Sequence, residues 1–378
     1  MWNDLPSTTR TGASFSIFKK LLKTLLFRER DLVLCAGTGS SIFSSLQDLP
    51  SAVWPCRSKV EKHLQVISVL QWVLSFLAMG IACTLLLVYM FCTDCWLIAA
   101  VYTAWLIMDW NTPRQGGRRS SWVRNWTMWT YFRDYFPIRL IKTHDLLPSR
   151  NYVFGYHPHG IFCFGAFCNF GTEATSFSKK FPGIKPSLAT LAGNFRLPVL
   201  RDYLMSGGIC PVNKNSMDYL LSCNGTGNAV VIVVGGAAES LHCAPGMNSV
   251  TLQNRKGFVK LALQKGSDLV PVYSFGENDA YKQVFFEEGT CWKSLQKKLQ
   301  KILGFAPCLF YGSSWGIVPF SNPITTVVGE PITVPKIENP TPEVVDLYHG
   351  MYVRSLHGLF EKYKTRFGMK ESDVLHIQ

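Results

Sequence analysis

Charge is scarce in this chain, and negative charge is the scarcer sign. Asp and Glu number 25 against 38 Lys and Arg. Charged residues make up 17% of the 378 residues, compared with roughly 25% in typical soluble domains. The mean hydropathy is slightly positive, at +0.11, so apolar surface replaces the missing charge. The formal net charge of +13 favours anionic partners such as lipid headgroups or a phosphorylated ligand.

Several recognisable motifs are also missing. The chain has no zinc-finger spacing, recognition-helix pattern or ribonucleoprotein motif, so we expect no nucleic-acid partner. Its 12 cysteines form no disulfide framework, and the one CxxC, Cys92 to Cys95, lacks the second pair that a zinc site needs. We therefore expect reduced thiols in a domain that faces the cytosol. No cleavable signal peptide follows Met1.

The chain has instead a long apolar block. Residues 66–91 contain no charged side chain, and at about 1.5 Å per residue they are long enough to cross a hydrocarbon core of ~30 Å. A second apolar run, residues 95–108, follows Asp94 and is short for a full span. The two runs predict a membrane hairpin that turns near Asp94.

Basic residues flank the predicted hairpin on both sides, which places both ends in the cytosol by the positive-inside rule. They are Arg57, Lys59 and Lys62 before it and Arg114, Arg118, Arg119 and Arg124 after it. Residues 15–27 have the pattern of a basic amphipathic helix, which fits either a lipid interface or an ordinary surface helix. Residues 36–58 have the composition of a linker. We predict a cytosolic N-terminal region at 1–65, the hairpin at 66–108 (66–91 and 95–108) and a cytosolic domain at 109–378.

From residue 109 onward, short strand-like runs alternate with helical patterns. Residues 152–156, 228–234 and 269–275 are β-branched or aromatic runs, and residues 258–265 and 292–302 have helical period. Strands that alternate with helices predict an α/β sheet domain with flanking helices.

Two histidines, His157 and His159, bracket Pro158 at the end of the first of these strands, and Gly160 follows. Positions two apart in an extended segment face the same side, and α/β folds bind ligands at strand ends. An imidazole is a natural general base. The alternatives are two loop histidines with no chemical role and a pair of metal ligands, for which no third ligand is recognisable.

A second segment, "NAVVIVVGGAAES" at residues 228–240, places glycines directly after a buried strand. Free amides at Gly235 and Gly236 could bind a phosphate or a developing oxyanion. Glu239 could orient one of the histidines, because a base needs a partner that fixes its tautomer. Its other interpretation is a solvated loop carboxylate.

Basic residues begin the predicted helix near residue 258. Arg255, Lys256 and Lys260 flank Gly257 there. Since the helix dipole favours anions at this end, these cations either await an external anion or form a solvated basic face. Farther upstream, the stretch from Tyr135 through Pro137 either lines an apolar acyl channel or packs in the core.

These motifs together resemble the type 2 diacylglycerol acyltransferase family, which also contains monoacylglycerol acyltransferases and wax synthases. The residues that carry the resemblance are Tyr135, Phe136, Pro137, His157, Pro158, His159, Gly160, the "GGAAES" loop and the block from Arg255 to Glu277. The resemblance extends over nearly the whole chain.

The resemblance implies an enzyme of the endoplasmic-reticulum membrane and of lipid droplets. It would transfer an acyl group from acyl-CoA to the free hydroxyl of 1,2-diacylglycerol, giving triacylglycerol and CoA. His159 or His157 would be the general base, and amides near Gly160 or the two loop glycines would stabilise the oxyanion. Arg255, Lys256 and Lys260 are the candidates for the CoA phosphates. No metal, and no cofactor besides the co-substrate acyl-CoA, is expected.

One departure concerns the acid that should support the base. Wider glycerolipid acyltransferases carry an Asp five positions after the histidine, but here Phe164 stands five positions after His159. We therefore expect Glu239 as the partner, with Glu173 and Asp145 in reserve. The acceptor stays open among diacylglycerol, monoacylglycerol and long-chain alcohols, as does the oligomeric state, including a homo-oligomer. A non-enzymatic lipid-droplet scaffold and a metal-dependent lipid hydrolase are the alternatives from other classes.

Overall fold

The structure, a computed structural model, describes residues 59–287, 289–303, 307–313 and 316–378. The predicted amphipathic helix at 15–27 and the linker at 36–58 lie outside the described residues. The strands within the described ranges are β1 (Arg139–Lys142), β2 (Tyr152–His157), β3 (Lys185–Thr190), β4 (Ile209–Pro211), β5 (Asn228–Val233), β6 (Ser249–Val250), β7 (Asp268–Phe275), β8 (Lys282–Val284), β9 (Leu309–Tyr311), β10 (Thr325–Val328) and β11 (His376–Ile377).

Helices flank these strands along the whole described chain. The α-helices are α1 (Lys59–Leu74), α2 (Gly80–Phe91), α3 (Trp96–Met108), α4 (Ser121–Arg124), α5 (Thr127–Tyr135), α6 (Phe164–Ala166), α7 (Phe177–Lys180), α8 (Leu200–Ser206), α9 (Lys214–Asp218), α10 (Gly236–Ser240), α11 (Gly257–Lys265), α12 (Cys291–Leu303) and α13 (Pro342–Tyr363). Short π-helical turns are Ser75–Met79, Phe167–Gly171 and Tyr219–Cys223, and 3₁₀ turns are Thr112–Gln115, Ala192–Arg196, Glu277–Ala280 and Thr365–Phe367.

A seven-stranded sheet forms the centre, in the order β1-β10-β7-β2-β5-β3-β4. Strands β7, β2, β5, β3 and β4 are parallel, whereas β10 runs antiparallel to β7 and pairs in parallel with β1. Every residue of β2 and β7 is buried, which is why these strands read as continuous apolar runs. The predicted α/β sheet domain with flanking helices is confirmed.

Alternate side chains of β2 point to opposite faces of the sheet, and they pack in two separate hydrophobic cores, one on each face. Phe154 and Tyr156 join a core with the phenylalanines that follow the histidine motif. Val153 joins the opposite core, which contains Tyr352 of α13. His157 continues the Val153 side of the alternation, so its ring is directed toward α13.

The N-terminal helices combine a part that packs on the domain with a part that is exposed. Residues Lys59–Phe91 form one helix of 33 residues that is long and apolar enough to cross a membrane. Its first half packs on the sheet domain, because Val69, Trp72 and Val73 are buried and the Trp72 ring stacks on Phe167 at 3.5 Å between centroids. The apolar run predicted from residue 66 therefore includes a stretch that contacts protein.

Helices α2 and α3 expose most of their apolar side chains. They are joined by a short turn at residues 92–95, and α3 has 13 residues. The exposed residues include Ile81, Leu85, Val88, Trp96, Ile98, Val101, Ile107 and Met108. An apolar surface of this extent indicates membrane association, while the membrane hairpin itself stays a prediction.

Candidate active site

The site lies where three neighbouring parallel strands end. In the sheet β2 lies between β5 and β7. His157 is the last residue of β2, Gly235 and Gly236 follow β5, and Glu277 follows β7. Parallel strands in register bring their carboxyl ends to one edge of the sheet, which is where α/β folds bind ligands. Topology therefore brings together segments that lie far apart in the sequence.

His159 has an imidazole whose tautomer is fixed by its neighbours. Its Nδ1 lies 2.9 Å from the carbonyl oxygen of Gly160 and 2.7 Å from Ser240 Oγ. A carbonyl oxygen only accepts hydrogen bonds, and the Ser240 hydroxyl donates to the carbonyl oxygen of Gly236 at 3.4 Å. The tautomer that fits these contacts has its hydrogen on Nδ1, and its Nε2 lone pair then lies 3.7 Å from Cys163 Sγ. Burial lowers the pKa of His159 below its ordinary value, so the ring is neutral near pH 7. Nε2 of His159 is thus a proton acceptor at a strand end.

His157 has the opposite tautomer and a fully buried ring. Its Nε2 lies 3.0 Å from Tyr352 Oη, and that hydroxyl donates to the carbonyl oxygen of Gly155 at 2.9 Å. Tyr352 has one hydroxyl hydrogen, so it must accept a hydrogen bond from His157 Nε2–H. Burial lowers the pKa of His157 to about 3, which keeps the ring neutral. Within the described chain its Nδ1 has no hydrogen-bond partner.

Glu239 supports the histidine segment through the backbone. Its Oε1 accepts the backbone N–H of His159 at 2.5 Å, and its Oε2 accepts that of Thr251 at 2.7 Å. We expected Glu239 to orient an imidazole, but its two oxygens bind amides, and the ring nitrogen contacts the next residue, Ser240. Burial raises the pKa of Glu239 to about 7.

Gly235 is needed for this arrangement. A Cβ at Gly235 would lie 2.1 Å from Glu239 Oε2, so the carboxylate occupies the space that a side chain would take. Gly236 differs, since its φ is +56° and no atom lies within 4 Å of its Cβ position. The first glycine of the pair therefore accommodates the carboxylate, and the second is open to a ligand.

Glu277 is a second buried carboxyl, which sequence reasoning did not assign a role. It accepts hydrogen bonds from Tyr156 Oη at 2.6 Å, Gly165 N–H at 3.0 Å and Ser274 Oγ at 3.3 Å. Burial raises its pKa to about 7. Gly160 has a φ of +62°, and its Cβ position would be 3.0 Å from Glu277 Cγ. The available signal was its place directly after the buried strand β7.

The two reserve acids lie in other contacts. Glu173 pairs with the buried guanidinium of Arg124 at 2.9 Å, and the Lys142 ammonium lies 2.6 Å from Asp145. The structure therefore favours neither as the partner of a histidine.

The stretch Tyr135, Phe136 and Pro137 divides between core and cavity. Phe136 is completely buried, and its ring packs 4.6 Å from that of Phe164. Tyr135 donates its hydroxyl to the carbonyl oxygen of Pro319 at 2.6 Å. Of the two predicted roles, core packing or lining of an acyl channel, Phe136 has the packing role. Pro137 lines the cavity described below.

The predicted phosphate-binding cations lie just before and within the first turn of α11. Arg255 and Lys260 are exposed, whereas Lys256 lies 2.6 Å from Asp346 in an ion pair. The charge of Arg255 lowers the pKa of Glu239 against the dominant effect of burial. Gly257, the first residue of α11, has open space at its Cβ position.

A large cavity includes residues from the same strand ends in its lining. Its volume is about 1710 Å³, and Pro137, Pro158 and Glu277 line it. Six basic side chains also line it, namely Arg133, Arg139, Lys142, Lys179, Lys180 and Arg366. Sequence reasoning did not identify this cavity, because its walls come from segments that are distant in the chain.

Metal-ligating side chains do not converge in the part of the chain that the structure describes. No group of three His, Cys, Asp or Glu residues there could hold a metal ion. The expectations of metal-free chemistry and of no cofactor besides acyl-CoA remain predictions.

Comparison with known proteins finds one family over most of the chain. A family model described as diacylglycerol acyltransferase matches residues 88–378. Diacylglycerol O-acyltransferase 2 of Danio rerio is 74% identical over 347 residues, which cover 90% of this chain and 96% of that protein. The Homo sapiens protein of the same name is 68% identical, with 90% and 89% covered.

A relative with another name and one solved structure are also similar. Acyl-CoA wax alcohol acyltransferase 1 of Homo sapiens is 50% identical over 323 residues, which cover 84% of this chain and 98% of that protein. The crystal structure of the 1-acyl-sn-glycerophosphate acyltransferase PlsC from Thermotoga maritima aligns with a TM-score of 0.37 and 10% identity, covering 80% of this chain and 97% of that chain.

Proposed function

The chain belongs to the diacylglycerol acyltransferase family and is an acyltransferase, and on that premise we propose its substrates and mechanism. It transfers a fatty acyl group from acyl-CoA to the free hydroxyl of 1,2-diacylglycerol, giving triacylglycerol and CoA. The observation that supports the mechanism is the pair of contacts at His159 Nδ1, with the carbonyl oxygen of Gly160 and with Ser240 Oγ. They favour a hydrogen on Nδ1, which leaves Nε2, 3.7 Å from Cys163 Sγ, to accept a proton.

His159 Nε2 removes the hydroxyl proton as the acceptor oxygen attacks the thioester carbonyl. The resulting imidazolium is stabilised by its Nδ1–H bond to the carbonyl oxygen of Gly160 and by Ser240 Oγ. The tetrahedral intermediate then collapses, the carbon–sulfur bond breaks, and the CoA thiolate takes the proton from Nε2. The His159 imidazole is thereby neutral again, with its Nε2 lone pair restored, and no acyl-enzyme forms.

The oxyanion of the intermediate needs hydrogen-bond donors. Backbone amides of the Gly160 turn and of Gly236 are our candidates, and the open space beside Gly236 supports the second. Glu239 supports both segments, because its helix begins at Gly236 and its carboxylate binds the His159 amide. In this proposal Glu239 and Ser240 are positioning residues.

The CoA phosphates have two candidate sites. Arg255, Lys256 and Lys260 were predicted from the sequence; Arg255 and Lys260 are exposed, and Arg255 is near enough to Glu239 for its charge to lower the pKa of that carboxyl. The basic cavity is the alternative, since its lining reaches Pro158. The test compares two double variants. The first combines Arg255→Gln and Lys260→Gln at the predicted site, and the second combines Arg139→Gln and Lys179→Gln in the cavity.

If the predicted site binds the phosphates, the first pair of substitutions raises the KM for acyl-CoA about tenfold, as the loss of roughly 1.4 kcal/mol of binding requires. The kcat and the KM for diacylglycerol should stay near wild-type values. A rise confined to the second pair of substitutions would assign the phosphates to the cavity.

The acceptor is tested with the purified full chain in detergent. Labelled acyl-CoA is supplied with diacylglycerol, monoacylglycerol or a long-chain alcohol, and the esters are separated. We expect triacylglycerol as the main product. The wax alcohol relative makes the alcohol the second candidate. Absence of any ester would favour a scaffold, and release of free fatty acid that depends on metal would favour a hydrolase.

We also propose that the enzyme resides in the endoplasmic reticulum membrane and on lipid droplets, with α2 and α3 as a hairpin and both termini in the cytosol. The apolar helix Lys59–Phe91 supports the membrane part. Asn125 and Asn224 stand in glycosylation sequons, and a cytosolic domain leaves both unmodified. Glycosylation at either residue in microsomes would contradict this orientation.

A further inference from the structure

A second apolar surface lies on the strands β8 and β9 and on helix α12. We call it the hairpin surface, and it is separate from the predicted membrane hairpin of α2 and α3. Its side chains are between 45% and 65% exposed, and they are Val284, Phe285, Trp292, Leu295, Leu309 and Tyr311. A group of exposed apolar side chains of this size is typical of a surface that contacts another apolar phase or partner.

The β8–β9 pair separates its side chains cleanly onto two faces. Val284 lies opposite Leu309 in the register, and both are exposed. The intervening pair, Gln283 and Phe310, faces inward, where the Phe310 ring packs 4.8 Å from that of Tyr281. The register of β8 and β9 therefore directs these apolar side chains outward, and a shift of the register by one residue would bury them.

The first two turns of helix α12 differ from those of an ordinary surface helix. Lys293 and Gln296 are buried there, and Gln296 Nε2 donates to the carbonyl oxygen of Pro307 at 3.1 Å. Trp292 and Leu295 are exposed instead. A helix between a protein core and water buries its apolar face, so this orientation indicates that the outer environment of α12 is apolar.

The inner face of the β8–β9 pair is linked to the helix that leads into the apolar N-terminal segment. The Phe310 ring lies 5.3 Å from that of Phe162. The carbonyl oxygen of Phe162 accepts a hydrogen bond from Trp72 Nε1 of α1 at 3.2 Å. Phe310 and Phe162 thus connect the strands that carry the hairpin surface to α1, and Phe162 lies three residues from His159.

Charge indicates which lipid surface this is. Among the lysines of this segment, Lys282, which lies opposite Tyr311 in the register, and Lys298 of α12 are exposed. A basic apolar surface binds anionic lipid interfaces. We infer that the hairpin surface lies on the anionic phospholipid interface of the membrane that receives α2 and α3, as a second contact beside the catalytic turn. The inference rests on the proposed membrane association.

The test uses the full chain in phosphatidylcholine vesicles, with and without phosphatidylserine, that contain a photoactivatable phospholipid. We expect labelled peptides from residues 284–295 as well as from α2 and α3, with more labelling at 284–295 when phosphatidylserine is present. The variant Trp292→Ser with Leu309→Ser should lose the first labelling and keep the second. Leu347→Ser on α13, where the side chain is 59% exposed, is the matched control.

Transferase activity separates the possible outcomes. In vesicles the double variant should need about threefold more diacylglycerol for half-maximal rate, since two apolar contacts with the interface are lost. In detergent micelles its activity should equal that of the wild type. Labelling confined to α2 and α3 would overturn the inference, and so would dimers that the double variant abolishes, because a second copy would then cover the surface.

Failure of the membrane proposal looks different. Absence of lipid labelling at α2 and α3 as well would contradict the membrane association, and absence of activity in micelles would contradict the proposed reaction.

Discussion

Two substitutions distinguish the roles that we assign to the histidines. His159→Asn keeps an amide nitrogen near the Nδ1 position, where it can donate to the Gly160 carbonyl, but it removes Nε2. His157→Gln keeps a donor near the Nε2 position, where it can still reach Tyr352 Oη. The first change thus removes the proposed base and little else, and the second removes only an unpaired nitrogen.

The expected magnitudes differ by orders of magnitude. A positioned general base contributes about 10²- to 10⁴-fold to rate, which corresponds to about 3–5 kcal/mol of barrier at 1.36 kcal/mol per tenfold. We expect a loss of kcat in that range for His159→Asn. For His157→Gln the structure predicts at most one weakened hydrogen bond, which costs about 0.5–1.5 kcal/mol of the free energy of unfolding, and a rate within tenfold of the wild type.

Initial rates of labelled triacylglycerol formation are measured with purified protein at saturating diacylglycerol. The thermal unfolding midpoint is recorded for each variant in the same detergent. His144→Asn is the control, because its side chain is exposed and lies 3.6 Å from Glu330. A wild-type kcat for His159→Asn would refute the assignment. So would a hundredfold loss for His157→Gln at an unchanged midpoint.

Three further predictions concern the carboxyls and the pH dependence. Burial raises the pKa of Glu277 from 4.5 to about 7, so the folded state holds a proton that the unfolded chain releases. The contribution of Glu277 to the free energy of unfolding should fall by about 3 kcal/mol as pH rises from about 4.5 to 7, and denaturant titrations of Glu277→Gln should show a flatter pH dependence than those of the wild type. Gly235→Ala places a Cβ against Glu239 Oε2 and should reduce kcat at least about tenfold, whereas Gly257→Ala should leave it unchanged. Because burial lowers the pKa of His159, the acid limb of the kcat/KM profile should lie below pH ~6.5, and a limb above it would contradict a buried neutral base.

The sequence predicts the centre of the fold well and its margins poorly. The observed bounds of β2, β5 and β7 lie within one residue of the predicted runs, because strands covered on both faces are continuous apolar segments ended by glycine or a polar residue. Strands β1, β4 and β10 are short and have no such pattern. The order of the strands depends on contacts between distant segments, which periodicity does not encode.

The sequence identified the segments that form the candidate site, but it did not predict the contacts between their side chains. The sequence places Glu239 and His159 each after a predicted strand, and the structure makes those strands neighbours and brings the two residues within hydrogen-bond distance. Spacing cannot tell whether a carboxylate binds a ring or a backbone amide, so Ser240, the next residue along α10, was missed. Tyr352 was missed as well, because α13 lies 195 residues beyond His157 in the chain.

The hydropathy of a sequence does not show which side of an apolar helix contacts protein. In α1 the apolar Trp72 contacts the domain, whereas the apolar Leu85 of α2 is exposed within the same uncharged run. In α12 the relation is reversed, since Lys293 is buried and Trp292 is exposed. The amphipathic period predicts a helix in each case, but the face that packs on the domain is known only from the fold. A group of exposed apolar residues on neighbouring helices, as on α2 and α3, therefore indicates an apolar environment more directly than the hydropathy of the sequence does.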